Sequence, residues 1–103
     1  MIIPRKYVGL KKNGKVTIPK NLADQVGLEG GEKIALCSCE EYGEVFLVKP
    51  LKEIDSHKVV AIIPMDSKRR FIFPKEFLSG ERDETVLEVY ILDGDLILEE
   101  ANI

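Results

Sequence analysis

The chain has 103 residues, 45% of them hydrophobic and 32% charged, with a formal net charge of −3; that suffices for one compact domain or for two half-size units sharing a core. No run approaches the roughly 18 apolar residues of a membrane-spanning helix. The stretch Met1-Ile2-Ile3-Pro4-Arg5-Lys6 lacks the long apolar run and small-residue cleavage site of a secretory leader, so a cytoplasmic protein is expected.

In chain order, Tyr7 to Leu10 is β-rich and reads as a first strand. Lys11-Lys12-Asn13-Gly14 follows as a basic turn, and Asn-Gly is a strong hairpin signal because both residues tolerate positive φ. Val16 to Ile18 forms a second strand that runs straight into Pro19. Proline suits the first helical position, where its missing N–H would have had no partner. The helix expected over residues 19–27 places Leu22, Ala23 and Val26 on one face and stops at Gly27. Lys33 to Cys39 and Val45 to Val48 then flank the turn Glu40-Glu41-Tyr42-Gly43-Glu44 as a closing hairpin.

The same order recurs in the second half. Lys15-Val16-Thr17-Ile18-Pro19-Lys20 is echoed by Arg70-Phe71-Ile72-Phe73-Pro74-Lys75, with the prolines 55 positions apart. Val59 to Ile63, the turn Asp66-Ser67-Lys68-Arg69, Phe71 to Phe73 and a short helix from Pro74 to Ser79 repeat the first four steps. Val86 to Leu92 and Leu96 to Leu98 close the copy around Asp93-Gly94-Asp95. The chain therefore divides into a first repeat, 1–50, a polar linker, 51–58, and a second repeat, 59–103. The fold class expected is mainly β with two short helices: two β-β-α-β-β units forming one small barrel. Neither half carries enough apolar surface to fold alone, so the halves pair, within one chain as a monomeric pseudo-dimer or between chains as a homodimer.

Charge is segregated. Residues 1–23 carry six basic side chains and no acidic one, and residues 64–75 carry four basic against the single Asp66. These two stretches hold a net +9 and the rest of the chain −12. Local field, not mean charge, sets phosphate affinity. The candidate DNA contacts are Lys11, Lys12 and Lys15 in the first copy and Lys68, Arg69 and Arg70 in the second. Lys20 and Lys75 complete the candidate DNA contacts at the two helix starts, where a phosphate can also meet free backbone N–H groups. Without a recognition helix or an aromatic cluster, sequence preference is expected to come mainly from DNA shape and deformability.

Other chemistry finds little footing. Cys37 and Cys39 are one residue apart in an apolar run, where strand geometry sets their side chains about 7 Å apart on one face, a poor disulfide. They read as small apolar residues in a half-buried strand. His57 is the one histidine and lies far from both, so no metal site is expected. No nucleophile–base pairing or phosphate-cradling loop is present, and Gly30-Gly31 reads as a turn, so neither an enzyme nor a cofactor is expected.

The run Lys12-Asn13-Gly14-Lys15-Val16-Thr17-Ile18-Pro19-Lys20, continued by Gly27-Leu28-Glu29-Gly30-Gly31-Glu32-Lys33-Ile34, resembles the AbrB/SpoVT family through Val48. Asp66-Ser67-Lys68-Arg69-Arg70-Phe71-Ile72-Phe73-Pro74 is similar to the Asp-x-x-x-Arg strand motif of MraZ, a two-copy relative, with Arg69 in place of the usual glycine. The resemblance implies a swapped-hairpin or related cradle-loop barrel. It also implies a non-enzymatic transcription regulator that binds double-stranded DNA through its first hairpins, with Lys12, Lys15, Lys68 and Arg70 facing the duplex. Asp66 then orients Arg70. The alternative is a protein-interaction module, antitoxin-like or an adaptor, that has kept the barrel and lost DNA.

Overall fold

The computed structural model describes residues 5–11, 13–39, 45–51, 58–78 and 85–101. Among the described residues are eight strands: β1 (Lys6–Gly9), β2 (Lys15–Thr17), β3 (Lys33–Cys39), β4 (Val45–Pro50), β5 (Lys58–Pro64), β6 (Arg70–Ile72), β7 (Val86–Leu92) and β8 (Asp95–Glu100). Helix α1 (Lys20–Val26) follows β2. Pro19 precedes it in an extended conformation, and its carbonyl accepts the N–H groups of Leu22 and Ala23 at 3.1 and 3.0 Å. Gly27 ends the helix in the left-handed region (φ 75°), which costs a residue without Cβ nothing.

Six strands form one antiparallel sheet in the order β1-β7-β8-β4-β3-β5, and β2 pairs with β6 in a separate two-stranded ribbon. Sequence neighbours pair at β3–β4 and β7–β8; the other pairings cross the chain. β1 lies on β7, with Gly9 opposite Val86, and β5 lies on β3, with Pro64 opposite Lys33. β4 and β8 meet in the middle, Leu47 opposite Ile97. At β5 the register skips Val60, a bulge between the Leu36–Ala61 and Cys37–Val59 pairs.

Strand side chains alternate between faces, and here both faces are apolar. Ile34 and Leu36 of β3, Val48 of β4, Leu87, Val89 and Ile91 of β7, and Leu96 and Leu98 of β8 turn toward the ribbon and α1. There they meet Val16, Ile18, Leu22, Phe71 and Phe73 in the main core. Ala35, Cys37, Val45, Leu47, Tyr90 and Ile97 form a second buried cluster on the other side. Phe46, Phe73 and Phe77 pack together, with edge-to-face rings 5.6 Å apart for the first two, a favoured aromatic geometry.

Two expectations need correction. The sheet does not close into a barrel: among the described residues β1 and β5 are its edges, and the ribbon covers the core as a separate layer. The short helix expected from Pro74 to Ser79 is a three-residue 3-10 turn, Lys75–Phe77, after which Leu78 is already extended (φ −102°, ψ 145°). Three residues give one turn closed by i→i+3 bonds, Phe77 N–H to the Pro74 carbonyl and Leu78 N–H to that of Lys75. Phe77, rather than helical length, pins the segment to the core.

Cys37 is a free, fully buried thiol whose pKa is raised by burial, as suits a small apolar core residue. The side chain of Cys39, His57, the linker residues 52–57 and the turn residues 40–44 lie outside the described residues. Among the described residues no helix is long and apolar enough to cross a membrane.

Phe71 stands opposite Val16 at the centre of the ribbon, and both are almost wholly buried. Phe71→Ala should therefore lower unfolding stability by about 3–5 kcal/mol. The denaturant midpoint would fall at unchanged slope, whereas a shift of under about 1 kcal/mol would mean that the ribbon does not close the core.

Candidate nucleic-acid interface

Each ribbon strand is entered through a tight turn built around a positive φ. In the first turn the Lys11 N–H donates to the Lys15 carbonyl (3.2 Å) and the Gly14 N–H to the Lys11 carbonyl (2.7 Å). Asn13 Oδ1 accepts the Lys15 N–H at 3.0 Å, and Gly14 sits at φ 85°. In the second turn the Asp66 N–H donates to the Arg70 carbonyl (2.9 Å) and the Arg69 N–H to the Asp66 carbonyl (3.0 Å). Asp66 Oδ1 accepts the N–H groups of both Lys68 and Arg70 at 2.9 Å. Arg69 takes the left-handed conformation, φ 61°, at the place corresponding to Gly14.

The turns are tied to each other's strands. The Ile18 N–H donates to the Arg69 carbonyl and the Phe73 N–H to the Gly14 carbonyl, both at 2.9 Å. Arg69 Nε also donates to the Ile18 carbonyl at 3.2 Å. The second turn is further held from below: a Cβ on Gly30 would collide with the Ser67 carbonyl, and the Gly31 N–H donates to the Asp66 carbonyl at 2.9 Å. Lysine and arginine side chains thus project from a rigid backbone frame.

In the ribbon Lys15 lies opposite Ile72, Val16 opposite Phe71 and Thr17 opposite Arg70. Since Val16 and Phe71 turn inward, Lys15, Thr17, Arg70 and Ile72 share the outer face. Of the candidate residues, Lys15 and Arg70 lie on this face, Lys11 at one end and Lys68 and Arg69 at the other. Lys20 and Lys75 are exposed at the starts of α1 and the 3-10 turn, off the ribbon. Lys12 lies outside the described residues. Thr17 and Ile72 went unnoticed in the charge pattern, although the alternation of Lys15 with Thr17 and of Arg70 with Ile72 is the two-residue period that marks them as co-facial.

Arg70 and Asp66 form an ion pair, Nε to Oδ2 at 2.7 Å. The Arg70 backbone N–H on its carboxylate, then the Arg70 side chain and the Lys68 N–H, hold Asp66 below the usual aspartate pKa. Arg5, by contrast, is not available to this face. It lies over the Tyr90 ring (4.3 Å to the centroid) and pairs with Glu88 at 2.8 Å, on the sheet face that carries the second cluster. There it offsets the facing pair Glu88–Glu99. Burial and a 2.8 Å bond to Glu99 push the Tyr90 hydroxyl pKa up to about 12.

No family model matches the chain, and no curated protein or solved structure matches it significantly.

Two tests follow from this geometry. Gly14→Ala should cost about 1 kcal/mol or more in unfolding free energy, because a Cβ is disfavoured at positive φ; an unchanged denaturant midpoint would contradict the turn. The Asp66 carboxyl, followed by carbon NMR, should titrate below the ordinary value of about 3.9. With its folded pKa depressed, Asp66 contributes stability that is full above the unfolded pKa and is lost as pH falls through the folded one. Arg70→Gln should restore only part of the shift, since the backbone N–H, the largest cause, remains; full restoration would assign the shift to the side chain alone.

Proposed function

We propose that this protein is a non-enzymatic regulator that binds double-stranded DNA with the β2–β6 ribbon, and that it is built as two AbrB/SpoVT-like repeats, 1–50 and 59–103, joined by 51–58. The observation that carries the DNA reading is the ribbon itself: a two-stranded antiparallel surface with Lys15 and Arg70 on its outer face and basic turns at both ends. A two-stranded β-ribbon is one of the few protein elements that the major groove admits. Lys11, Lys68 and Arg69, with Lys12 next to Lys11 in sequence, supply phosphate neutralisation, and cytoplasmic DNA is the natural polyanion. The −12 on the remainder of the chain keeps the rest of the surface off the duplex.

The repeat reading is supported by matched pairings. Each half sends its first strand onto the third strand of the other half, β1 onto β7 and β5 onto β3, while the second strands pair with each other and so do the fourth. Registers agree as well: Gly9 faces Val86 as Pro64 faces Lys33, and Lys15 faces Ile72 as Arg70 faces Thr17. Hydrogen bonds outside the ladders come in the same twofold pairs, Leu10 to Thr85 with Met65 to Glu32, and Ile18 to Arg69 with Phe73 to Gly14. Such exchange of first strands is what a swapped-hairpin arrangement requires, here left open at β1 and β5.

Fluorescence anisotropy with a mixed-sequence duplex tests the DNA reading. With about six phosphate contacts, affinity should fall by about three decades between 50 and 200 mM salt. Lys68→Gln should reduce the log–log salt slope by about one. Absence of salt-sensitive affinity at low ionic strength would sink the DNA reading and leave the protein-interaction module.

A further inference from the structure

The outer face of the ribbon has twofold geometry but not twofold chemistry. The pairing relates Lys15 to Arg70, Thr17 to Ile72 and, at the turns, Gly14 to Arg69. At all three positions the two members differ. On the β6 side a large aliphatic residue, Ile72, is 41% exposed beside an arginine. On the β2 side the corresponding residues are a small hydroxylated side chain and a lysine.

Arg70 is also fixed in a way that Lys15 is not. Asp66 is held by two backbone N–H groups and grips Arg70 at Nε, 2.7 Å away. That leaves the two terminal amino groups of the guanidinium, which make no hydrogen bond among the described residues, as a fork of fixed orientation. Such a fork matches the paired acceptors O6 and N7 of guanine, whereas a lysine ammonium is a mobile point charge that suits a phosphate. Two positions along the same strand, Ile72 offers a bare aliphatic surface. In the major groove the apolar group that such a surface can meet is the C5 methyl of thymine. Same-face residues two apart are separated by about 7 Å, close to two base-pair steps.

We propose that the ribbon reads a non-palindromic duplex site, in which Arg70 selects a guanine and Ile72 selects, within about two base pairs of it, a thymine through its methyl group. Lys15 and Thr17 on the other strand hold the duplex with little sequence preference. The proposal rests on the DNA-binding reading above and adds to it the identity and asymmetry of the site.

The experiment is selection of the full chain against a random duplex library, followed by anisotropy titrations on the enriched duplex. The enriched sequence should lack twofold symmetry and contain the guanine and thymine at that spacing. Replacing the thymine with uracil removes only the methyl and should weaken binding about three- to fivefold, the equivalent of one buried methyl group. Ile72→Ala should bind the thymine and uracil duplexes alike, and Arg70→Lys should lose about tenfold of the preference for guanine. A palindromic enriched sequence, equal binding of thymine and uracil duplexes by the unmodified chain, or no enrichment despite steep salt dependence would overturn the proposal and leave DNA binding standing. Lack of any salt-dependent affinity would overturn both.

Discussion

The pairing of β2 with β6 is the constraint on which the rest of the structure depends. Each strand is three residues long, too short to persist alone in water, and each has its partner more than fifty residues away. Their inward side chains, Val16 and Phe71, complete the main core, and the backbone groups just beyond them bond to the opposite turn rather than to their own. Removing the ribbon would expose the core face of the six-stranded sheet and orphan the Ile18 and Phe73 N–H groups together. Because β1 pairs with β7 and β5 with β3, neither half completes its hydrogen bonds without the other. Contacts this distant in sequence delay their reward until long loops have closed, so folding belongs to the slow, β-dominated class.

The same constraint explains how an acidic chain presents a basic surface. Cations are concentrated in the turns that enter the ribbon and on its outer face, while Asp66, the one acidic residue of its segment, is turned inward on its own backbone and on Arg70. Its charge therefore orients an arginine more than it cancels one. Arg5 makes the opposite point. It belongs to the basic N-terminal run, yet strand alternation sends it to the other face, where the facing Glu88 and Glu99 use its charge. Linear charge counts overstate the cationic surface by such residues.

Much of this was legible in the sequence because it depended on local chemistry. Pro19 and Gly27 bracket α1, and Asp93-Gly94 makes a tight turn with both residues at positive φ, 52° and 82°. All eight strands follow from apolar alternation and turn residues, within one or two positions at each end. The features that escaped depend on the rest of the fold. Pro74 opens a segment with the same signals as Pro19, but its apolar residue Phe77 is drawn onto Phe46 and Phe73, and three residues are all the helical geometry that survives. Barrel closure failed as an expectation because it depends on edge strands meeting, and among the described residues β1, four residues long, has only β7 beside it. At the site, the lysines and arginines announce themselves by charge, whereas Thr17 and Ile72 gain meaning only once the cross-chain register places them beside Lys15 and Arg70.

Because β2 and β6 belong to one chain, their register allows the two strands to differ. In a symmetric assembly of two identical chains, one substitution alters both halves of a two-stranded surface, so the chemistry opposite each residue is a copy of its own. Here the cross-chain pairing makes matched hydrogen bonds while the side chains differ, and they differ where they face outward. The inward positions show the contrary pressure: Val16 and Phe71 are not the same residue, but both are apolar and buried, because the core tolerates a change of size more readily than a change of polarity. Arg69 in the left-handed conformation extends the difference between the two sides to the turns. A backbone position that favours glycine has accepted a side chain at a conformational cost on the order of 1 kcal/mol. In return, that side chain donates to the Ile18 carbonyl and adds a cation to one end of the ribbon but not to the other.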